Sequence, residues 1–459
     1  MLHIDGSAGL PRRLADSKVL ETLQSGRAAA QAWRHVALSR RLRIIRNARR
    51  LLAAEAAEFA AAVRRPVADT LVAEVLPLLE AWRFLERNAR RLLAPERLHG
   101  GLPLWLFGVS AQIHREPWGA VLILGPGNYP AFLPGVQAVQ ALVAGNAVCL
   151  KPAAEGVAAA EALANLLARA GLPEGLFGVL PAADGPAAVA AGFDRIVLTG
   201  SAATGVAVLE AAAPNLTPTT LELSGCDAAY VLPQADLELV VRCLLYGLRL
   251  NGGATCIAPR RVFCTYAAAV ELERRLLTSL PEMPDASIPA PTADRLGRLL
   301  EDAVRQGARV NHPGPRRPAL LLDAHPGMRL LQADLFAPWL ALAPVADMRQ
   351  ALLADSLCPY ALGCSIFGPI GAARELADRV HAGSVCINDL IVPTADPRLG
   401  FGGSKRSGFG RTRGAEGLLE MTQSKTVSIR RGFFRPHLRA PRPSDARRYA
   451  MMIRALHRL

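Results

Sequence analysis

Lysine is nearly missing from this chain. Only Lys18, Lys151, Lys405 and Lys425 stand among 53 basic residues, so arginine carries the net charge of +14. Beside the heavy use of Ala, Gly and Pro, this skew is what GC-rich coding produces without selection for an anionic partner. The basic residues of the chain's body form no stripe interleaved with aromatics, so no nucleic-acid partner is expected. Long apolar runs are missing too: none approaches the roughly 18 residues of a membrane span. The opening MLHIDGSAGLPRRLADSK has no apolar core of a secretory signal, which leaves the cytoplasm as the expected compartment. None of the eight cysteines sits in a C-x-x-C pair or at ligand spacing from a histidine, so no metal site is expected. Disulfides are not expected in a large cytoplasmic chain, and most of the thiols read as core filler.

What is present is a large core. Hydrophobic residues make up 51% of the 459 positions and charged residues 20%, enough for two or three domains. Residues 15–95 read as helices rich in Ala, Arg and Leu, LRIIRNARRLLAAEAAEFAAAV being the clearest. PERLHGGLPLWLFGVSAQIHREPWG then mixes turn residues with short alternating runs and predicts an extended hairpin near 100–118. From residue 119, the strands GAVLILG, NAVCLKP, GLFGVLPA, DRIVLTG and TPTTLELSG alternate with helical stretches. That alternation predicts an α/β fold with a parallel, doubly wound sheet. A second β/α series runs from AAYVL to about INDL at 387–390. The tail from Arg430 is differently composed, with nine Arg and one acidic residue in 30 positions.

NGGATCIAPRR, at 251–261, places Cys256 just after two glycines. A thiol there can be a buried small hydrophobe, a metal ligand or a nucleophile. Two other stretches bear on the choice. In LTGSAATG a strand ends at Gly200 and a helix opens soon after, with Gly205 inside it. Glycines at such a turn bring backbone N–H groups up to a phosphate, although many serve only the turn. GPGNYP puts Asn128 at the carboxyl end of the first strand, where open α/β sheets bind ligands. Asn in a loop more often satisfies its own turn.

GNYP, LKP, LTGSAATG, LELSG, NGGATC, LFAP, SVCIND and GFGGSKRSGFGR occur in this order. Together they closely resemble the aldehyde dehydrogenase superfamily, from about residue 30 to residue 430. LTPTTLELSG and the short N-terminal region look most like the class 3 branch, which takes fatty and aromatic aldehydes. The resemblance implies a Rossmann-like NAD(P)-binding domain over 1–225, carrying the hairpin near 100–118. A second α/β catalytic domain follows over 226–412, then an oligomerisation strand over 413–432 and a basic tail over 433–459.

The implied reaction oxidises an aldehyde to a carboxylic acid with NAD or NADP. Cys256 matches the nucleophile, whose thiolate adds to the aldehyde carbon to give a thiohemiacetal and, after hydride leaves, a thioester. Asn128 and the backbone N–H of Cys256 match the oxyanion donors. Glu222 matches the base that activates water to hydrolyse the thioester. Gly252 and Gly253 let the backbone pass close to cofactor and substrate. Lys151 resembles the lysine at the adenosine ribose, and Ser201, on the turn with Gly200 and Gly205, the residue at the pyrophosphate. Leu223, beside the base, joins the cofactor set, as do Asp334 and Phe336 at the nicotinamide ribose and ring.

The chain departs from the family in places. ELGGK becomes ELSGC, so Ser224 and Cys226 replace a Gly and a Lys. EIFGP becomes DLFAP, which makes Asp334 one methylene shorter than the usual Glu. Gly127 stands where many members have Trp, and the segment between the Cys256 unit and LLLDAHPGMRLL is shortened. The carboxylate that commonly follows the lysine by three positions is Ala154 here. Glu155, one position later, points elsewhere if the turn keeps the family's shape, so NADP is expected to be accepted beside NAD.

Two rival readings follow from these features. A coenzyme A-acylating dehydrogenase is opposed by Glu222, for which it has no use. A non-catalytic relative is suggested by DLFAP and LSGC and opposed by the intact Cys256, Glu222 and Asn128. A homodimer or homotetramer is expected, because the hairpin and SKTVSIR at 424–430 would leave open sheet edges in a monomer. ARRYAMMIRALHRL places Tyr449, Met452, Ile453 and Leu456 on one helical face. Packing on a neighbouring subunit, or a solvated end, is preferred over membrane-surface contact for that face.

Overall fold

The apolar stretches between residues 119 and 223 become the centre of one sheet. This computed structural model describes residues 17–98, 106, 108–314, 316–433 and 435–457. Five strands, Ala120–Leu124, Ala147–Lys151, Phe177–Val179, Arg195–Gly200 and Thr219–Leu223, run parallel. The first strand lies between the second and the fourth, so the order reverses there and leaves a crevice at the carboxyl ends. A sixth strand, Gly408–Phe409, adds antiparallel beside Thr219–Leu223. Both faces of the sheet are covered. Val121 and Ile123 enter one core with the helix Phe132–Ala144, while Ala120, Leu122 and Leu124 enter the opposite core. Such strands read as continuous apolar runs because neither face meets water.

The N-terminal helices expected from periodicity form at Ser17–Trp33, Leu38–Ala54 and Leu76–Leu92. Trp82 and Trp33 fix them by donating their indole N–H groups to the carbonyls of Gly135 at 3.1 Å and Leu142 at 2.8 Å. A π-helical turn at Leu71–Val75, which the apolar spacing does not announce, precedes the last of these helices.

A second sheet follows the first in sequence. Its seven strands run in the order Arg309–Asn311, Ala319–Leu322, Trp339–Val345, Pro259–Thr265, Asp227–Val231, Gly363–Phe367 and Ser384–Ile387. All pair in parallel except the first, which is an antiparallel edge. Phe263 points into one core, and its neighbours Val262 and Cys264 into the other. Residues 1–93 and 116–423, which hold both sheets, form one compact unit.

Residues 94–115 and 424–459 cluster as a second unit. The expected hairpin appears as Glu96–Leu98 paired antiparallel with Val109–Pro117, in the same three-stranded sheet as Thr422–Arg430. Its first strand thus ends before residue 100, and most of the connection lies outside the described residues. The tail forms the expected helix, Asp445–His457, with Tyr449, Met452, Ile453 and Leu456 exposed. No described helix is long and apolar enough to cross a membrane.

Candidate active site

Cys256 follows a loop that the sequence bends sharply. The helix Leu237–Arg249 is capped by Asp236, which accepts from the N–H groups of Glu238 and Leu239. After it Asn251, Gly252 and Gly253 adopt φ of 52°, 59° and 76°, a left-handed run that Asn and Gly enter at least cost. Gly253 is needed for another reason. A Cβ there would meet the Pro338 backbone at 2.8 Å, so the Cys256 loop and the LFAP segment touch main chain to main chain. Buried Arg260 holds both, donating to the carbonyls of Gly253 and of Ala337, the latter at 2.7 Å. All eight cysteines are free thiols. Seven were expected to be structural, and six of those are buried; Cys243 is half-buried, as is Cys256.

Asn128 meets this loop from the first sheet. Its amide nitrogen donates to the Ala254 carbonyl at 2.9 Å, so one of its two N–H bonds ties it to the Cys256 loop and one remains. Asn251 donates to the Asn128 carbonyl at 2.7 Å, and Arg65 donates to that carbonyl at 2.9 Å and to the Asn251 side chain at 2.7 Å. Arg65 in turn pairs with Glu74 at 2.5 Å. Glu74, buried in the π-helical turn, accepts from the N–H groups of Ala131 at 2.8 Å and Phe132 at 3.0 Å. Burial pushes its pKa up, against Arg65 and these two N–H groups. The Tyr129 hydroxyl bonds the Thr255 hydroxyl at 2.7 Å. Arg65, Glu74 and Asn251 were not among the residues picked out from sequence. Glu74 sits in an otherwise apolar helical run, and a lone carboxylate there is the signal that could have found it.

Glu222 lies at the end of its strand, opposite Gly408 and Thr199. It is buried, and one carboxylate oxygen accepts from the Thr412 hydroxyl at 2.8 Å. The other, Oε1, has no partner among the described residues. Burial pushes the Glu222 pKa up, while Arg413 and the Thr412 hydroxyl pull it down. The same surroundings act on Cys256. Burial, then the carboxylates of Glu222 and Asp227, push its thiol well above the ordinary range, against Arg413 and the Ile257 N–H. Cys256, Glu222 and Asn128 thus converge, with Thr412 and Arg413 as members that motif reading missed.

The residues expected at the cofactor come from the ends of the first sheet's strands and from the LFAP segment. Ser201 caps the helix Ala202–Ala212, accepting from the Thr204 N–H at 3.2 Å. A Cβ on Gly205 would come within 2.7 Å of Leu223, so this glycine serves close helix–strand packing and Leu223 forms its other side. Lys151 is half-buried, its pKa lowered by burial, and no carboxylate pairs with it among the described residues. The Ser224 hydroxyl lies between the Gly200 carbonyl, 3.2 Å away, and the Asp334 carboxylate, which also accepts from the Ala202 N–H. The hydroxyl introduced by LSGC thus meets the shortened side chain introduced by DLFAP. Along that segment Asp334 and Phe336 are half-buried while Leu335 and Ala337 are buried, so both named residues keep an open side. A helix N-terminus, an uncompensated ammonium and a glycine-packed turn suit a dinucleotide pyrophosphate.

Glu155 turns toward the GPGN turn. A Cβ on Gly127 would lie 3.0 Å from Glu155 Oε2. Because position 127 carries no side chain, the carboxylate reaches across to the GPGN turn.

The aldehyde dehydrogenase family model matches residues 10–427. The chain is 30% identical over 425 residues to a 4,4'-diapolycopene aldehyde oxidase of Methylomonas sp, covering 88% of this chain and 80% of that protein. It is 31% identical over 405 residues to a succinate-semialdehyde dehydrogenase [NADP(+)] of Mycobacterium avium, covering 83% and 85%. A Mycobacterium tuberculosis aldehyde dehydrogenase solved with NAD+ superimposes with a TM-score of 0.83 at 26% identity, over 91% of each chain. The sheets, the converging thiol, carboxylate and amide, and these likenesses agree: the chain belongs to the aldehyde dehydrogenase family, as an NAD(P)-dependent enzyme.

Proposed function

We propose that Cys256, Glu222 and Asn128 carry the oxidation in the roles their motifs imply. The thiolate of Cys256 attacks the aldehyde carbon, and the oxygen becomes an oxyanion facing Asn128's remaining N–H and the backbone N–H of Cys256. A bound nicotinamide, held on the side of Asp334 and Phe336, would supply the hydride acceptor that lets this oxyanion collapse to a thioester on Cys256. Glu222 takes a proton from water, the hydroxide attacks the thioester carbon, and the carboxylic acid leaves as the thiol is restored. Lys151 faces the adenosine ribose, Ser201 with Gly200, Gly205 and Leu223 the pyrophosphate side, and Asp334 with Phe336 the nicotinamide side. The observation that carries this reading is the meeting of Asn128 and the nucleophile loop, joined at 2.9 Å through Ala254. Spectrophotometry of reduced cofactor with short, long-chain and aromatic aldehydes, each with and without coenzyme A, tests it. Turnover that needs coenzyme A, or none with any aldehyde, would overturn it.

The finer readings belong with this proposal. The class 3-like LTPTTLELSG favours fatty or aromatic aldehydes. The cofactor domain spans 1–225, the catalytic domain 226–412, the oligomerisation strand 413–432 and the tail 433–459. The enzyme is cytoplasmic and a homodimer or homotetramer. Glu96–Leu98 and Thr422–Arg430 are the edge strands of their sheet and mostly exposed, with Leu98 and Ile429 about half open to solvent. Three such strands need a covered face to be stable. The exposed side of Asp445–His457 packs on a neighbouring subunit or stays a solvated end, in preference to a membrane surface. A monomeric mass by light scattering at micromolar concentration would sink the oligomer, and liposome flotation of full-length and tail-deleted protein compares the two fates of the tail.

A further inference from the structure

Arg413 carries three anomalies at once. It is a cation only 7% exposed, whose Nε has no hydrogen-bond partner among the described residues. Its guanidinium carbon lies 4.1 Å from the Phe401 ring centre and 5.5 Å from that of Phe132, with one nitrogen donating to the Thr394 carbonyl at 2.9 Å. Its backbone sits at φ 62°, ψ 174°, a region that glycine enters freely and arginine only at a cost of about 1–3 kcal/mol. Ile391, near Thr394, is also strained, at φ 59°. An arginine held against strain, buried, and left with an unused donor is not explained by packing.

The residue before it supplies the direction. Thr412 donates to Glu222 Oε2 at 2.8 Å, while Oε1 of the same carboxylate is buried without a partner. An unused guanidinium donor and an unused carboxylate acceptor are thus both buried, within electrostatic reach of each other and of Cys256. We propose that Arg413 is a positioning residue that keeps Glu222 ionised and aimed at the water that hydrolyses the Cys256 thioester. Its field also favours the Cys256 thiolate. The charged and titratable groups bearing on the pair are Arg413, Asp227, Arg260 and Tyr129, and Glu222 and Cys256 on each other. Asp227 is buried with its Oδ2 unpartnered among the described residues and is drawn on by Arg261; Arg260 bears on Cys256, while Arg413 bears on both members of the pair. Burial raises the Glu222 pKa and so favours its protonated form, and a protonated carboxyl cannot take a proton from water. Arg413 opposes that, and the aromatic faces of Phe401 and Phe132 hold it without neutralising its charge.

The inference rests on Glu222 being the base, and the test separates the two. Arg413→Met keeps the stem over Phe401 and removes the charge; Arg413→Lys keeps the charge. In the methionine variant, steady-state turnover at neutral pH should fall at least tenfold while one burst of reduced cofactor per site persists. The acid limb of its kcat–pH profile should move up by a unit or more, with activity recovering at high pH. The lysine variant should return most of the lost rate and the original limb. In a Glu222→Gln background, Arg413→Met should leave the stalled turnover where it is. A loss with an unmoved pH profile, a lysine variant no better than methionine, or no loss at all would overturn the inference. So would a loss confined to aldehydes bearing a carboxylate, which would make Arg413 a substrate anchor. If Glu222→Gln alone turns over normally, it is the assignment of the base that fails.

Discussion

The two walls of the site are built on opposite terms. On the Asn128 wall, polar atoms find partners within about 3 Å: Asn128 on Ala254, Asn251 on Asn128, Arg65 on both asparagines and on Glu74, Tyr129 on Thr255. On the Glu222 wall, two buried polar atoms, Glu222 Oε1 and Arg413 Nε, have none among the described residues. In the proposed roles the first wall holds an oxyanion donor, which works only if it is fixed before charge develops. The second, with Glu222 as the proposed base, manages a proton, which must arrive and leave, so it needs charge balance and room for water more than closed geometry. Satisfied networks mark where the site is rigid, and unsatisfied ones mark where it reacts.

Removing the nucleophile erases that comparison. Cys256→Ser should leave folding intact and less than a few per cent of the rate, because an unactivated hydroxyl is a far poorer nucleophile than a thiolate. Retention of more than that would show that the thiol is not the attacking group. In the unaltered enzyme the cofactor burst should accelerate as pH rises, since burial and two carboxylates push the thiol's pKa up and only the thiolate attacks. A burst rate flat between pH 6 and 9 would mean the proton is removed before the aldehyde arrives.

Glu222→Gln should damage only the second wall. Acylation continues, giving about one equivalent of reduced cofactor per active site, and turnover then nearly stops. Stopped-flow absorbance reads both phases. Unchanged steady-state turnover would remove Glu222 from the mechanism.

Arg65→Met attacks the first wall from behind. It leaves the Glu74 carboxylate, 1% exposed, with two backbone donors and no counter-charge, at a cost of about 3 kcal/mol. It also frees Asn128 and Asn251 from their shared donor. A donor displaced by about 1 Å can cost on the order of 10²-fold in rate, so kcat should fall by roughly that much. The Glu222-dependent pH limb should stay where it is. A lowered melting temperature with full kcat would make Arg65 a stability element only.

These walls were unequally legible in the sequence. Cys256, Glu222 and Asn128 stand in motifs whose residue types announce their chemistry, and the parallel sheets follow from apolar runs such as GAVLILG. Arg65 and Glu74 are 63 and 54 positions from Asn128 in the chain, and nothing local says that they meet it. Arg413 lies in RTRG, and in so arginine-rich a chain it reads as one more surface cation. Burial, a positive φ and two aromatic faces distinguish it, and none of these is a property of sequence alone. The reach of Glu155 was hidden for a similar reason: it depends on the space left at Gly127.

That reach bears on the smallest expected effect, the choice of cofactor. A carboxylate bonded to the adenosine ribose favours NAD because it repels the 2′-phosphate of NADP. The usual position for it holds Ala154, while Lys151 nearby attracts a phosphate. The enzyme should therefore accept NADP, with an NAD preference below about 100-fold, roughly 2.7 kcal/mol. Glu155, leaning toward the GPGN turn, should supply part of whatever preference exists, and Glu155→Ala should narrow it several-fold. Measuring kcat/KM for both cofactors with one good aldehyde, in both proteins, decides the matter. An NAD preference above a thousandfold that collapses in Glu155→Ala would mean Glu155 has fully replaced the missing carboxylate. The same preference surviving that substitution would place the discrimination outside this turn altogether.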